Sequence, residues 1–262
     1  LVTGSGKHRI GFHVAHALAE RGYALVIHYR TSKTDADETV ADFRKHGIAA
    51  IAIQADLSDD RAAIDLIDKA IAHHGRLDVL VNCAAEWRRQ RLEDVTAEDL
   101  RHNFEVNTLG TALCSLRAGL AMIKQPEGGC IITIGDWATE RPYVDHFPYF
   151  VSKGTIPTLT RTLAVELALR NPAVRVNCLL PGPVMLPPDL PLVERQQSIA
   201  GTLVQHEGSP QDVARAVLFL LDSPFVTGVC LPVDGGRSIY APDTIPRRAE
   251  PPGTLSRGEG TV

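Results

Sequence analysis

The sequence has few of the features that mark membrane, nucleic-acid and metal-binding proteins. No apolar run approaches the roughly 20 residues that a membrane-spanning helix needs. The net charge of −4 gives no broad basic surface for nucleic acid or for an anionic membrane. The chain has 10 histidines, but no group of His and Cys residues has metal-site spacing. We therefore expect a small-molecule substrate, and we predict no metal, nucleic-acid or membrane partner.

Cysteine is scarce, and its spacing does not suggest a disulfide framework. The five cysteines are odd in number and widely spaced, and none forms a C-x-x-C pair. Most fall in apolar, strand-like runs, where free cysteine behaves as a small buried residue. We expect reduced core thiols in a reducing compartment, and hence a cytoplasmic protein. The residues are Cys83, Cys114, Cys130, Cys178 and Cys230.

What the sequence does contain is a regular alternation of two patterns. Continuous apolar runs predict strands buried on both faces, at 1–3, 23–28, 49–55, 77–83, 129–135, 174–180 and 228–233. Amphipathic periodicity predicts helices at 9–21, 35–46, 59–74, 97–124, 147–170 and 210–222. Repeating β-α-β units of this kind indicate an α/β fold, with a doubly wound parallel sheet of about seven strands and helices on both faces.

A single domain over 1–240 accounts for this alternation. Residues 183–206 interrupt it with four prolines and a weaker helical pattern, and we interpret them as a lid over the site. Residues 241–262 are rich in Pro, Gly and charge, which predicts a mobile tail.

The stretch "LVTGSGKHRIG" predicts a dinucleotide site, because a glycine-rich turn here follows the first strand and opens a helix. Glycines allow a tight turn and let backbone N–H groups approach a pyrophosphate at the helix N-terminus. The second strand ends in "VIHYRTSK", without the acid that often binds the ribose 2′-OH of NADH. Arg30, Ser32 and Lys33 suit a 2′-phosphate instead, which predicts NADPH. The alternative is that Arg30 is merely solvated.

Further motifs occur in order on the expected elements. Asn82-Cys83-Ala84-Ala85 follows the fourth strand, Asn107 lies in the next helix, and Tyr149-x-x-x-Lys153 follows the fifth strand. With these motifs, residues from Leu1 to about Tyr240 resemble the short-chain dehydrogenase/reductase family, which implies a single Rossmann-type domain.

The resemblance implies a role for each matching residue. It makes Tyr149 the proton donor, and Lys153 the residue that binds nicotinamide ribose and lowers the tyrosine pKa. It also implies that Asn107 supports a water-linked proton path. The predicted catalytic residues are Asn107, Asp136, Tyr149 and Lys153. The predicted cofactor-binding residues are Gly4, Lys7, His8, Arg9, Ile10, Tyr29, Arg30, Thr31, Ser32, Asp56, Leu57, Asn82, Ala84, Lys153, Pro181, Gly182 and Val184.

Asp136 stands where many enzymes with a Tyr-x-x-x-Lys pair carry serine. Reducing a ketone builds negative charge on oxygen, which an ionised carboxylate would oppose. Reducing a C=N bond in a protonated, guanidine-like ring is different, because a carboxylate could bind that ring or relay protons to it. Alternatively, Asp136 stays protonated and acts like the serine.

Pteridine reductases, and the bacterial dihydromonapterin reductases similar to them, carry Asp–Tyr–Lys with this spacing. The chain also resembles them in "RIG", "HYRTS" and "FVTG…PVDGGR". The resemblance implies substrate contacts from Arg9, Trp87, Asp136 and Tyr149, with Trp87 sandwiching a pterin against nicotinamide; otherwise Trp87 is an ordinary half-buried loop residue. The chain departs from the pattern in a glycine loop one residue longer and in Glu86 at the expected aromatic position. A third departure is Pro157, which should bend its helix.

Three functions follow from these features. The first is NADPH-dependent reduction of a dihydropterin, or of dihydrofolate, at a C=N bond. The second is general carbonyl reduction, for example of 3-oxoacyl thioesters, with Asp136 in place of serine. The third is non-catalytic NADP(H) binding. The resemblance also implies a homotetramer that assembles through the helices at 97–124 and 147–170.

Overall fold

The computed structural model describes residues 1–241, which form one seven-stranded parallel sheet flanked by helices. The strands are β1 (Val2–Thr3), β2 (Leu25–Tyr29), β3 (Ala50–Gln54), β4 (Val79–Asn82), β5 (Gly129–Ile134), β6 (Val174–Pro181) and β7 (Cys230–Val233). The helices are α1 (Ile10–Glu20), α2 (Lys33–Lys45), α3 (Asp60–His74), α4 (Ala97–Asn103), α5 (Gly110–Met122), α6 (Phe147–Lys153), α7 (Ile156–Ala168), α8 (Leu192–Ala200) and α9 (Pro210–Asp222). The predicted parallel sheet is confirmed, with strand limits within two residues of those predicted.

The strand order β3-β2-β1-β4-β5-β6-β7 places a topological switch beside β1. Val2 of β1 pairs with Ile27 of β2 on one side and with Val81 of β4 on the other. The chain winds outward from β1 in one direction and then in the other. A crevice therefore opens between the carboxyl ends of β1 and β4, where doubly wound folds bind their ligands.

The core has two layers because successive side chains of each strand point to opposite faces. Leu25 and Ile27 of β2 pack with residues of α1, α2 and α9, whereas Val26 packs on the other face with α3, α5 and α7. Three of the five cysteines are buried in these layers, and Cys83 and Cys230 are partly buried; all five are free thiols.

Two helix starts follow from their capping residues. Thr96 accepts a hydrogen bond from the Asp99 backbone N–H, and the Asp99 carboxylate accepts one back from the Thr96 N–H. Ser209 and Asp212 make the same reciprocal pair at the start of α9, where Pro210 begins the helix. Each capping box satisfies N–H groups that a helix N-terminus otherwise leaves unpaired.

The helix predicted over 97–124 is confirmed over residues 97–122, but it is not a uniform α-helix. The chain forms α4, then one wider π-helical turn over Phe104–Leu109, and then α5. Hydrophobic periodicity does not separate these segments, because the π-helical turn inserts extra backbone without breaking the apolar face.

The helix predicted over 147–170 is also interrupted, by two turn residues between α6 and α7. The bend expected at Pro157 occurs there, and Pro157 lies within the first two positions of α7. A proline is tolerated in the first turn of a helix, where its missing N–H would have no intrahelical acceptor. As a result Lys153 is the last residue of α6.

The segment 183–206 contains α8, and a bridge between Val184 and Gly208 closes its base. Its role as a lid stays a prediction. The predicted tail, apart from Ala241, lies outside the described residues. Among the described helices, none is long and apolar enough to cross a membrane.

Candidate active site

Tyr149, Lys153 and Asp136 meet where β5 ends. Tyr149 and Lys153 are four residues apart on α6, so they share one helix face, and both are buried. The Tyr149 hydroxyl donates a hydrogen bond of 2.7 Å to Asp136 Oδ2. Lys153 Nζ donates one of 2.7 Å to the Ile134 carbonyl. Tyr149 and Asp136 are therefore in direct contact, and Lys153 bonds to the end of β5 two residues before Asp136.

Asp136 also shapes the backbone that follows it. Its Oδ1 accepts a hydrogen bond of 2.8 Å from the Ala138 N–H and so caps the short 3-10 turn Trp137–Thr139. Burial raises the pKa of Asp136, against the lowering effect of the Ala138 and Tyr149 hydrogen bonds and of the Lys153 charge. The site therefore favours the neutral carboxylic acid more than water does.

Burial also shifts the pKa values of Tyr149 and Lys153. Desolvation, and then the charge and hydrogen bond of Asp136, raise the pKa of Tyr149 well above its usual value. Desolvation lowers the pKa of Lys153, which the nearby Asp136 partly offsets. When Asp136 is ionised, its charge therefore adds to burial in opposing the ionisation of Tyr149.

Asn107 lies in the π-helical turn and bonds to two segments of the site. Its Oδ1 accepts from the Glu86 N–H at 2.8 Å, and its Nδ2 donates to the Glu86 carbonyl at 3.0 Å. The same Nδ2 donates to Ser152 Oγ on α6, also at 3.0 Å. Asn107 thus fixes the chain after β4 against the helix that carries Tyr149.

The glycine loop at the end of β1 is tightly packed. Gly4 has φ +64°, and a Cβ on it would lie 2.8 Å from Ala84 Cα. A Cβ on Gly11, in the first turn of α1, would lie 2.8 Å from the Gly4 carbonyl oxygen. These close approaches bring the helix N-terminus onto the loop, which is the geometry that receives a pyrophosphate. The residues present therefore fit a dinucleotide.

His28 of β2 holds this loop in place. The Gly4 N–H donates to His28 Nδ1 at 2.9 Å, and His28 Nε2 lies 3.1 Å from the Ala55 carbonyl. The first contact needs an unprotonated Nδ1, and the second needs a proton on Nε2. Burial lowers the pKa of His28 to about 4, which keeps this neutral tautomer.

The remaining predicted cofactor residues line the carboxyl edge of the sheet. Lys7, His8 and Arg9 are exposed in the glycine loop, and the His8 ring stacks on Phe12 with centroids 4.0 Å apart. Ile10 begins α1. Tyr29, Arg30, Thr31 and Ser32 lead from β2 into α2, and Asp56 and Leu57 follow β3. Pro181 ends β6, and Gly182 and Val184 follow it; the Gly182 N–H donates to the Val233 carbonyl at 2.9 Å.

Asn82 and Ala84 connect the end of β4 to its neighbours. Asn82 Nδ2 donates to Ser115 Oγ, and the Ala84 N–H donates to Thr3 Oγ1, each at 3.0 Å. The buried Asn82 Oδ1 has no hydrogen-bond partner within the described part of the chain. The cofactor roles of these residues stay predictions.

Two contacts near the site do not follow from the sequence motifs. Arg30, predicted to meet a 2′-phosphate, forms an ion pair with Glu86. Trp87 stacks on His146 with ring centroids 4.5 Å apart, and its Nε1 donates to the Tyr143 hydroxyl at 3.1 Å. The density of aromatic residues between Asp136 and Phe150 is the sequence signal that could have revealed the second contact.

The family is decided by comparison with known proteins. Residues 5–238, most of the chain, match the family model described as "Enoyl-(Acyl carrier protein) reductase". The chain belongs to the short-chain dehydrogenase/reductase family.

Relatives cover nearly the whole of this short-chain reductase. An uncharacterized oxidoreductase of Methylorubrum extorquens is 36% identical over 243 residues, covering 90% of this chain and 96% of the relative. Glucose 1-dehydrogenase 2 of Bacillus subtilis is 30% identical over 246 residues, covering 92% of this chain and 94% of the relative. The crystal structure of a blue fluorescent protein from a metagenomic library, in complex with NADPH, has a TM-score of 0.83 to this chain. The two chains are 32% identical, and the match covers 90% of this chain and 96% of the other.

These comparisons establish an oxidoreductase of a family that uses nicotinamide cofactors. They support the Rossmann-type fold, and they give no particular support to pteridine reductases among its members. The general short-chain reductase, kept above as an alternative, fits them better than pterin reduction does.

Proposed function

We propose that this protein reduces ketones with NADPH and uses Tyr149 as the proton donor. A neutral Asp136 would take the place of the serine that many enzymes with a Tyr-x-x-x-Lys pair carry. The observation that carries the proposal is the 2.7 Å hydrogen bond between the Tyr149 hydroxyl and the partly buried carboxyl group of Asp136, whose pKa desolvation raises. A neutral acid beside the donor removes the charge conflict that an ionised carboxylate would create with a developing oxyanion.

The proton path follows from these contacts. A bound nicotinamide would supply the hydride. When protonated on Oδ2, Asp136 donates to the Tyr149 oxygen, and the tyrosine proton then points to a substrate oxygen. Lys153 lies on the same helix face and adds positive charge that stabilises negative charge on that oxygen. Asp136 keeps its Ala138 N–H contact throughout, so it does not need to move.

NADPH is proposed as the preferred cofactor for two reasons. Arg30 and Ser32 stand at the end of β2, where no acid is present to bind the ribose 2′-OH. A similar solved protein was crystallised with NADPH. Arginine suits a phosphate because its planar guanidinium donates two parallel hydrogen bonds.

Aromatic side chains form a candidate substrate surface next to the catalytic tyrosine. Trp87 stacks on His146, and Tyr143 and Tyr149 each make an edge contact with Phe150. Trp87 is 46% exposed, so part of this side chain is accessible to a ligand. Such a surface favours a substrate with a flat apolar part beside its carbonyl group.

Pterin reduction remains the second candidate because of the acid itself. The carboxylate of Asp136 lies within hydrogen-bond distance of Tyr149, so an ionised form could bind a protonated ring nitrogen. Trp87 would then stack on the pterin.

Side-by-side assays of NADPH oxidation separate these candidates. The substrates are a small diketone, a 3-oxoacyl thioester, dihydrobiopterin and dihydrofolate. We expect turnover of at least one ketone, and a loss of about 1,000-fold in kcat for Tyr149→Phe, which removes only the donor hydroxyl.

Turnover of the pterins alone would replace the ketone proposal with the pterin candidate. Turnover of none of the four substrates, by protein that binds NADPH, would contradict both. Phe147→Leu, on the same helix as the donor but exposed and outside the aromatic surface, serves as the matched control and should keep kcat within a few-fold.

A further inference from the structure

An ion pair crosses the predicted adenosine half of the cofactor crevice. Arg30 Nη1 bonds to Glu86 Oε1, and His102 Nε2 lies 2.8 Å from Glu86 Oε2. The side chains are 45%, 32% and 44% exposed for Arg30, Glu86 and His102. Glu86 is thus held between two cationic or titratable partners while remaining open to solvent.

The sheet order shows what this pair spans. Arg30 follows β2 and Glu86 lies shortly after β4, while β1 and the glycine loop lie between these strands. Ala84, two residues before Glu86, packs directly against Gly4 of that loop. The Arg30–Glu86 pair therefore passes over the carboxyl end of β1, where a dinucleotide enters the fold.

The pair also supplies a carboxylate that the end of β2 lacks. In related dinucleotide sites an acid at the end of that strand accepts hydrogen bonds from ribose hydroxyls and disfavours a 2′-phosphate. Here the acid comes from the other side of β1. Burial raises the pKa of Glu86, but the hydrogen bonds from His102 and Arg30 outweigh it and lower the pKa overall, so Glu86 is ionised.

We propose that Glu86 is a specificity-determining residue, which weakens NADPH binding by occupying Arg30 and which offers its carboxylate to the ribose hydroxyls of NADH. The inference rests on the proposed function only in that a nicotinamide dinucleotide binds at this crevice. Glu86 acts on the phosphate through Arg30, and His102 positions the Glu86 carboxylate.

The size of the effect on NADPH binding depends on the Arg30–Glu86 ion pair, which a 2′-phosphate must break to reach Arg30. An exposed ion pair is weak, whereas Arg–phosphate hydrogen bonds are charge-assisted, so NADPH still binds with Glu86 present. Removing the carboxylate charge frees Arg30 before binding. We expect Glu86→Gln to lower the Kd for NADPH about fivefold, as for the loss of one exposed ion pair, and to raise the Kd for NADH.

The test measures Kd for both cofactors by calorimetry, without any substrate. Wild type is compared with Glu86→Gln, Arg30→Ala and the double variant. If Glu86 acts through Arg30, the glutamine substitution has no effect on NADPH binding when Arg30 is absent. Glu127→Gln is the matched control, because its partner Arg76 lies at the opposite end of β4.

Equal changes in both Kd values, or a Kd ratio that stays within twofold of wild type, would overturn the proposal. So would a Glu86→Gln effect that persists fully in the Arg30→Ala background. A shifted Kd ratio in a protein that reduces no ketone would uphold the role of Glu86 and defeat the proposed reaction. Binding of neither cofactor by wild type would defeat both. Glu86→Ser provides a second variant without the carboxylate, should Glu86→Gln fold poorly.

Discussion

Asp136 shows how one residue can serve both structure and chemistry. Its Oδ1 caps a backbone turn and its Oδ2 meets Tyr149, so the carboxyl group is fixed before any substrate arrives. The sequence predicts that an acid stands beside the tyrosine. It does not predict the protonation of that acid, because the pKa depends on burial by residues that are distant in the chain.

The pH profile of ketone reduction tests the protonation of Asp136. Because burial raises its pKa, the neutral form extends to higher pH than for an exposed carboxyl group. We expect kcat/KM to fall as pH rises through this pKa, by about tenfold per pH unit at slope one. Asp136→Ser should keep activity, and its kcat/KM should no longer fall over this pH range.

The control for that experiment is Glu140→Gln, which removes an exposed acid from the same loop. It should leave the profile unchanged. An unaltered profile in Asp136→Ser would show that the fall in kcat/KM belongs to another group. Loss of ketone activity in Asp136→Ser, with pterin activity in wild type, would favour the ionised carboxylate.

His28 gives a second prediction, for acid stability. Its folded pKa of about 4 lies below the ordinary histidine value of 6.5, so the unfolded chain takes up the proton first as pH falls. The stability from neutral His28 is complete above pH 6.5 and is lost between pH 6.5 and 4. The shift corresponds to about 3 kcal/mol.

Urea unfolding at several pH values, followed by circular dichroism, measures this loss. His28→Gln keeps one acceptor and one donor but does not titrate, so its stability should change less over the same range. His46→Gln, at the exposed end of α2, is the control and should retain the wild-type slope. An equal slope in wild type and His28→Gln would contradict the prediction.

At the scale of elements, the sequence predicts what hydrophobic periodicity encodes. Each of the seven strands, and the helix over 210–222, follows from an apolar run or an amphipathic stripe with a clear cap. The π-helical turn between α4 and α5 does not; its Asn107 bonds to Glu86 and Ser152, contacts distant in the chain that hydrophobic periodicity does not encode. The break before α7 was foreseeable from Pro157 alone.

Asn107→Ala tests whether those contacts stabilise the turn. The change leaves the partly buried N–H and C=O of Glu86 without their side-chain partners, at a cost of about 3 kcal/mol. It should also lower activity, because Asn107 no longer joins α6 to the segment that follows β4. Chemical unfolding together with the ketone assay measures both effects.

Asn103→Ala, one helical turn earlier, is the matched control. Within residues 1–241 its Nδ2 bonds only to the Asp99 carbonyl on its own helix, so its loss should cost less than about 1 kcal/mol. Equal destabilisation by the two substitutions would show that Asn107 has no special structural role.

At the scale of the whole molecule, the sequence predicts the layout of the site but not its long-range pairs. Parallel strands bring their carboxyl ends to one edge, so Gly4, Asn82 and Asp136 were expected to lie near one another. The contact between Arg30 and Glu86 joins side chains 56 positions apart. Neither residue has a local pattern that selects the other, so only the folded structure reveals the pair.

The apolar surface of the helices between the π-helical turn and β6 supports the expected assembly. Leu116 on α5, Val151 on α6, Val165 on α7, and Leu169 just after α7 are all exposed, Leu169 to 81%. Exposed apolar residues on neighbouring helices suit a protein interface. Because these helices fall within the two segments expected to form the tetramer, we predict that four copies associate through them.

Light scattering after size exclusion measures the assembly. Wild type should show about four times the 28.4 kDa of one chain. Val165→Glu combined with Leu169→Glu places charge on the expected interface and should lower the mass to that of a dimer or monomer, because burying unpaired carboxylates is costly. Leu92→Glu, exposed outside these helices, is the control. A monomeric wild type would contradict the tetramer, and an unchanged mass in the double variant would place the interface elsewhere.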